Sequence, residues 1–307
     1  MEKIKLYEQN SLYRDNLRIM GYQFGNGKQS LCIVGAMRGN EIQQLYICSQ
    51  LVKIFKELEE QGEISKNKSV LIVPCVNSAS VNIEKRFWST DNTDINRMFP
   101  GYAYGETTQR IAAGLFEKIK DYQYGIQLAS FYMPGNFIPH VRMMKTGYED
   151  VEEAKLFGLP YVLVREPKPY DTTTLNYNWQ VWETDAFSIY SSATDTVDQE
   201  SAKIAIDAIL RFAVKKRICK YNVHSGYISE VIGEVKALKP VKTKKAGILD
   251  SKVKVNEAVR KGQVLAEIID TYEGDVIYQV TAPEDGIVFF IHNKPVVYED
   301  TVVIKML

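Results

Sequence analysis

Two short stretches carry residue types that could do chemistry. In "DINRMFPG", Asp94 to Gly101, an asparagine and an arginine stand side by side in a loop closed by proline and glycine. The amide of Asn96 and the guanidinium of Arg97 can donate together to one carboxylate, and the guanidinium fork matches it with two parallel bonds. The same residues with Asp94 would equally make a salt-bridged loop that binds nothing. In "GAMRGNEIQQ", Gly35 to Gln44, Arg38 and Glu41 project from the end of a strand-like run where a helix begins. This corner reads like a metal-binding turn with the wrong residue first, because arginine has no lone pair to give.

The elements that must position these residues follow from the periodicity. "SLCIVGA", "KSVLIVPCVN" and "GLPYVLVREP" are runs rich in Val, Ile and Leu. They alternate with amphipathic stretches, "NEIQQLYICSQLVKIFKELEEQ" and "GETTQRIAAGLFEKIKDY". Strands apolar on both faces and separated by helices predict an α/β domain, residues 1–220, whose sheet is covered on both sides. "ESAKIAIDAILRFAVKKRI", Glu200 to Ile218, predicts a closing helix with a basic last turn. From His224 onward helix signals vanish. "GYISEVIGEV", "GQVLAEII", "VIYQVTA" and "GIVFFIH", punctuated by Gly, Pro and Asp, predict a C-terminal all-β module over 221–307, barrel-like or sandwich-like.

Composition narrows the function classes. Lysine plus arginine equals aspartate plus glutamate at 38 each in 307 residues, so no broad polyanion-binding face is expected and nucleic acid is not an expected partner. The N-terminal "MEKIKLYEQNSLYRDNLRIM" lacks the apolar stretch of a signal peptide, and no run reaches membrane-spanning length. Cys32, Cys48, Cys75 and Cys219 are scattered, which predicts buried thiols rather than a disulfide or metal framework. A cytoplasmic protein with no membrane partner is the expectation.

Three elements in this order, "RGNE", "DINRMFPG" and "FIPHVRMM", resemble the succinylglutamate desuccinylase and aspartoacylase family, a branch of the zinc carboxypeptidase (M14-type) fold. "VRKGQVLAEIID", "VTAPEDGIVFF" and "PVVYEDT" are similar to the β-rich domain appended in many members. The resemblance implies a mixed sheet and a zinc-dependent deacylase acting on an amide C–N bond. An H-x-x-E turn and a second histidine would bind zinc, which polarises the amide and activates water while a separate glutamate shuttles the proton. Carried over residue by residue, the glutamate of the turn falls on Glu41 and its histidine on Arg38. The second histidine falls on Gln127 or Ala129, depending on register in "DYQYGIQLASFYMPGNFIPHVRMM". The catalytic glutamate falls on Tyr190 in "DAFSIYSSATDTVDQES", and a phenol is a poor base near neutral pH. The carboxylate-binding pair survives as Asn96 and Arg97, and Arg86 lies where another substrate-binding arginine is expected. Arg142 and Arg165 are further pocket candidates, each taken to close a strand-like run.

These substitutions imply a non-catalytic homologue that binds a small carboxylate or an N-acyl amino acid without a cofactor. It would stand as a homo-oligomer or as partner to an intact zinc-bearing paralogue. The alternative is an active metal-dependent amide hydrolase with an unusual zinc ligand set, in which Glu41 and residues in another register complete the metal site; separately, His140 with Glu41 offers a remodelled weak site. His140, His224 and His292 show no ligand spacing among themselves, and structural roles are the plain reading. Tyr177, Trp179 and Trp182 suit core packing or an oligomer interface. The tail resembles biotinyl and lipoyl modules, but its hairpin segment "IDTYEGDVIYQV" holds no lysine for a carried cofactor, which implies a structural module that caps the pocket or mediates assembly.

Overall fold

The apolar runs become strands of one mixed sheet in the computed structural model, which describes residues 1–12, 15–233 and 238–307. In chain order the first unit contains β1 (Glu2–Gln9), β2 (Leu17–Phe24), β3 (Lys28–Ala36), α1 (Ile42–Glu60), β4 (Lys68–Cys75), α2 (Ser78–Val81) and α3 (Thr107–Ile119). It continues through β5 (Tyr124–Ala129), and then, past an excursion containing β6 (Gly135–Phe137), β7 (His140–Met144), α4 (Val151–Lys155), β8 (Tyr161–Arg165), α5 (Leu175–Val181), β9 (Asp185–Tyr190) and α6 (Gln199–Lys215). With β10 (Glu230–Gly233) the sheet order among the described residues is β1-β2-β4-β3-β5-β9-β7-β8-β10. The centre, β4-β3-β5-β9, is parallel, and β7 turns antiparallel to β9. Every residue of β5 is buried, as a strand covered on both faces requires.

Side chains alternate between two cores, one on each face of the sheet. Ile126 and Leu128 join the layer of α1 and α6, with Ile47, Leu51, Phe55, Ile209 and Phe212. The opposite layer is held by α3 and α5, with Ile111, Leu115, Leu175 and Trp179. Gly125 faces that layer under the Trp179 indole, where an added Cβ would lie 2.8 Å from the ring, so only glycine fits. The indole N–H donates to the Ile119 carbonyl at 3.0 Å, so the burial of Trp179 leaves no polar cost. Of its aromatic neighbours in sequence, Trp182 is exposed at the surface. All four cysteines are free thiols, three buried and Cys75 half-buried.

The second compact unit comprises Phe131–Ile138 and Ile232–Leu307. Its strands are β6, β11 (Lys239–Lys242), β12 (Gly247–Ser251), β13 (Ala258–Val259), β14 (Val264–Ile269), β15 (Val276–Thr281), β16 (Gly286–His292), β17 (Val296–Val297) and β18 (Val302–Met306). One sheet has the order β11-β18-β16-β13, with β6 also on β16, and the other the order β15-β14-β12-β17. Leu265, Ile268, Val288 and Ile304 pack between them. This is the all-β C-terminal architecture expected from the sequence.

Three features depart from the sequence reading. β1 was not anticipated, because an edge strand reading "EKIKLYEQ" carries the charges that keep edges from pairing further and shows little alternation. The sequence alone draws a boundary after residue 220, whereas the first compact unit runs to Val231, with the Tyr227 and Glu230 N–H groups donating to the Gly158 and Pro160 carbonyls. β6 comes from a segment that carries no strand signal of its own and joins the second unit. Of the run "GYISEVIGEV", Glu230–Gly233 is a strand, and its last two residues, Glu234 and Val235, lie outside the described residues. No helix of the described residues is long and apolar enough to cross a membrane.

Asp185, the first residue of β9, generates a prediction. Burial, with the Glu153 and Asp150 carboxylates nearby, raises its pKa from 3.8 to about 6, against the opposing pull of Lys216. The folded state therefore holds a proton that the unfolded chain has released, so stability falls as pH rises from about 4 to about 6 and the cost is complete above that. The residue is only half-buried, and solvent screening reduces the expected cost to about 1 kcal/mol. Asp185→Asn should melt higher than wild type at neutral pH and converge with it below about pH 4. Thermal melts across pH check this, and identical curves at neutral pH would refute it.

Candidate functional site

The corner after β3 is shaped by a glycine. A Cβ on Gly39 would sit 2.3 Å from the Lys85 carbonyl oxygen and 2.4 Å from Ser80, and the Gly39 N–H donates to the Arg86 carbonyl at 3.3 Å. The close approach brings the Arg86 segment against the corner. Glu41 then caps α1 and is fully buried. Its Oε2 accepts the backbone N–H of Met37 at 2.9 Å and of Arg38 at 3.1 Å. Its Oε1 accepts the Ser130 hydroxyl at 2.7 Å and Arg38 Nη1 at 3.1 Å. A carboxylate has about four lone-pair positions, and four bonds fill them.

Arg38, 5% exposed, forks onto a second carboxylate. Nε donates to Asp94 Oδ1 at 3.1 Å and Nη2 to Oδ2 at 3.0 Å, a bidentate pair. Burial works against the Arg38 charge, but Glu41 and Asp94 together outweigh it and hold its pKa above the ordinary arginine range. Asp94 Oδ1 also accepts the Asn96 N–H at 3.1 Å and so starts the 3-10 turn Ile95–Arg97. One guanidinium thus ties the β3 corner to the "DINRMFPG" loop.

Whether a zinc ion would fit here is a question of donors. Glu41 is committed, and Arg38 would repel a dication. Ala129, the last residue of β5, has no donor on its side chain, and Gln127 lies two residues further into the strand on the same face. Among the described residues no three His, Cys, Asp or Glu side chains gather where a metal could be held. The residues present do not fit the metal.

Ala129, Tyr190 and His140 lie in register across β5, β9 and β7, and Gln127, Ser188 and Arg142 form the next row on the same face. Tyr190 and His140 stack at 4.7 Å with an interplanar angle of 11°. Arg142 sits in the middle of β7, not at its end as the sequence suggested, with its guanidinium carbon 4.3 Å from the Tyr190 ring centre. It donates to the Tyr190 hydroxyl at 3.3 Å, and its Nη2 lies 3.3 Å from His140 Nε2. Arginine can only donate, so this contact needs the Nε2 lone pair and a neutral ring protonated on Nδ1. Burial lowers the Arg142 pKa, with Arg165 adding to the effect and Tyr190 opposing it.

Arg165 closes β8, and its Nη2 meets Asp171 Oδ1 at 2.7 Å. Arg97 Nη1 reaches the same oxygen at 3.1 Å and the Tyr170 carbonyl at 2.6 Å. Burial would raise the Asp171 pKa, but Arg165, the Lys168 N–H and Arg97 hold it below the usual carboxylate value. The salt-bridged loop considered from the sequence is therefore present on one edge of Arg97. Its Nε and Nη2 make no hydrogen bond to the described residues, and its side chain is 35% exposed. Asn96 Oδ1 accepts the Leu175 N–H at 3.2 Å, which fixes the amide and leaves its Nδ2 donors without a partner among the described residues. Both residues thus keep donors that no described residue takes.

Arg38, Glu41, Asp94, Asn96 and Arg97 thus belong to one bonded assembly, and Arg86 adjoins it through its backbone. Tyr190, His140 and Arg142 form a second cluster on the sheet face, while Arg97 and Arg165 meet at Asp171. Ser130 and Asp171 were missed from the sequence. Ser130 follows Ala129 directly but has no pattern to mark it, and Asp171 lies 74 residues from Arg97.

The family model for the "Succinylglutamate desuccinylase/Aspartoacylase catalytic domain" matches residues 27–183, half of the chain. A curated relative, N-alpha-acetyl-L-2,4-diaminobutyric acid deacetylase from Halomonas elongata, is 22% identical over 296 residues, covering 86% of this chain and 77% of that protein. Solved structures share the fold. A succinylglutamate desuccinylase from a Silicibacter species superposes with a TM-score of 0.80 at 15% identity, covering 98% of this chain and 92% of that one. The product-bound ectoine utilization protein EutE (DoeB) from Ruegeria pomeroyi gives 0.80 at 16% identity, with the same coverage of 98% and 92%. The chain belongs to the succinylglutamate desuccinylase/aspartoacylase family.

Proposed function

We propose that this chain is a non-catalytic member of its deacylase family, one that binds a small carboxylate or an N-acyl amino acid. The observation that carries the reading is the Arg38 guanidinium, held between Glu41 and Asp94 at the corner where the resemblance implies a zinc ligand. Glu41 serves it as an internal counter-ion, and Tyr190 offers a stacked phenol where the resemblance implies a carboxylate base. Binding groups persist. Arg97 keeps a free guanidinium edge and Asn96 free amide donors, which together suit one carboxylate. The name of the Halomonas relative, a deacetylase of an N-acetylated amino acid, supports that ligand class. Arg86 and Arg142 are further cations of the proposed ligand site.

A chain of this kind would serve as ligand-holding partner to an intact zinc-bearing paralogue. The other reading, an active hydrolase with Glu41 in an unusual ligand set, requires Glu41 to release its present partners, and a site remodelled with His140 requires both groups to do so. Glu41 would give up four bonds and His140 its Arg142 contact, and no observation favours that exchange.

Protein incubated with zinc and dialysed should retain far less than one ion per chain by elemental analysis and should leave N-acetyl-L-glutamate and N-acetyl-L-aspartate intact. Stoichiometric zinc, stripped by chelator together with hydrolysis, would end the proposal. Arg38→His should not restore zinc by itself, because Ala129 and Gln127 supply no second imidazole. For binding, calorimetry with N-acetyl-L-glutamate and succinate should show Arg97→Ala weakened by about 1.5 to 3 kcal/mol with an unchanged circular dichroism spectrum. Equal affinity in wild type and variant would make the loop structural only.

A further inference from the structure

The sheet β15-β14-β12-β17 has an inner and an outer face. Leu249, Ile268 and Tyr278 lie in register on the inner face, against the core of the second unit. One residue along, Val296, Ile248, Ile269 and Val276 pair strand to strand and form a single apolar row across the outer face of all four strands. Val296 is 56%, Val276 48% and Ile248 38% exposed, with Tyr298 and Tyr272 more exposed still beyond the row. The next outward row, Asp250, Glu267 and Gln279, is polar and braced by Lys252. The surface is thus polar where a solvated sheet should be, and apolar along one bounded strip. Such strips, with tyrosines at the margin, mark protein contacts.

We propose that this strip is where two copies of the chain associate. A two-fold axis parallel to the strands, between β12 and β14, lays β12 of one copy over β14 of the other and β15 over β17. The row is then self-complementary, with Ile248 against Ile269 and Val276 against Val296, as an isologous interface requires. Charge agrees with the same operation. Lys245 lies just before β12, and Glu273 and Asp275 lie in the β14–β15 turn on that side of the row, all exposed and without an ion-pair partner among the described residues. The two-fold carries Lys245 of each copy over the acidic turn of the other. An anionic partner such as nucleic acid or a lipid headgroup layer would meet that turn with repulsion, so a second copy is the occupant the surface favours. The contact does not depend on what Arg97 binds.

Sedimentation equilibrium of the full chain at micromolar concentration should give twice the 35.0 kDa chain mass. Ile248→Glu should sediment as a monomer with an unchanged melting temperature. Lys245→Glu, on the surface and tolerant of change, should raise the dimer dissociation constant about tenfold, and adding Glu273→Lys should recover most of that loss. If Ile248→Glu does not fold, the charge reversal and its recovery still decide the matter. A wild-type monomer at every concentration, a dimer indifferent to these substitutions, or association only with a different polypeptide would overturn the proposal.

Discussion

A guanidinium shared between two carboxylates governs the corner where β3 meets α1 in the first unit. Arg38 is buried, and removing a charge from water costs several kcal/mol unless its hydrogen-bonding edges are met. Glu41 and Asp94 meet them, and each does a second task. Glu41 holds the backbone turn leaving β3 and the Ser130 hydroxyl after β5, and Asp94 begins the turn that sets Asn96 and Arg97. Removing one partner of such a group leaves an unpaired buried charge, which costs about 3–5 kcal/mol. The corner is therefore a fixed tie between two strands and a loop. A single non-exchangeable positive charge organises it.

The junction at Asp171 shows a different balance. Arg97 and Arg165 converge on one oxygen of Asp171, while its other oxygen takes the Lys168 N–H. Sharing an acceptor restrains both arginines without consuming either fork. Arg97 keeps its outer edge because Asp171 and the Tyr170 carbonyl engage only Nη1. Arg142 is held otherwise, by an aromatic face and an imidazole, which suits a cation in a poorly solvated layer.

Much of the fold was legible because burial on both faces writes itself into composition. β3, β4 and β8 read as apolar runs, and α1, α3 and α6 read by their periodicity. β1 and β6 escaped notice because each depends on a partner strand more than on its own residues. At the site, residues close in sequence were readable together, namely Arg38 with Glu41 and Asn96 with Arg97. The bonds Arg38–Asp94, Arg97–Asp171 and Glu41–Ser130 were not, because they join residues separated by 56 to 89 positions through the fold. The choice between Gln127 and Ala129 was ambiguous for a geometric reason. A step of two along a strand returns to the same face, so pattern alone cannot separate them.

The excursion Phe131–Ile138 gives the second unit a strand that the chain delivers long before the rest of that unit exists. β6 finds its hydrogen-bonding partner on β16, and Phe137 packs with Phe131 at 4.5 Å beside Phe290. During synthesis these aromatic rings emerge some 150 residues before the strand that shelters them. The β-rich tail is consequently no detachable appendix. Cutting the gene between the two units would leave an orphaned greasy loop on one product and β16 without its β6 partner on the other, so evolution can trim or exchange the tail only by rewriting the middle of the chain as well.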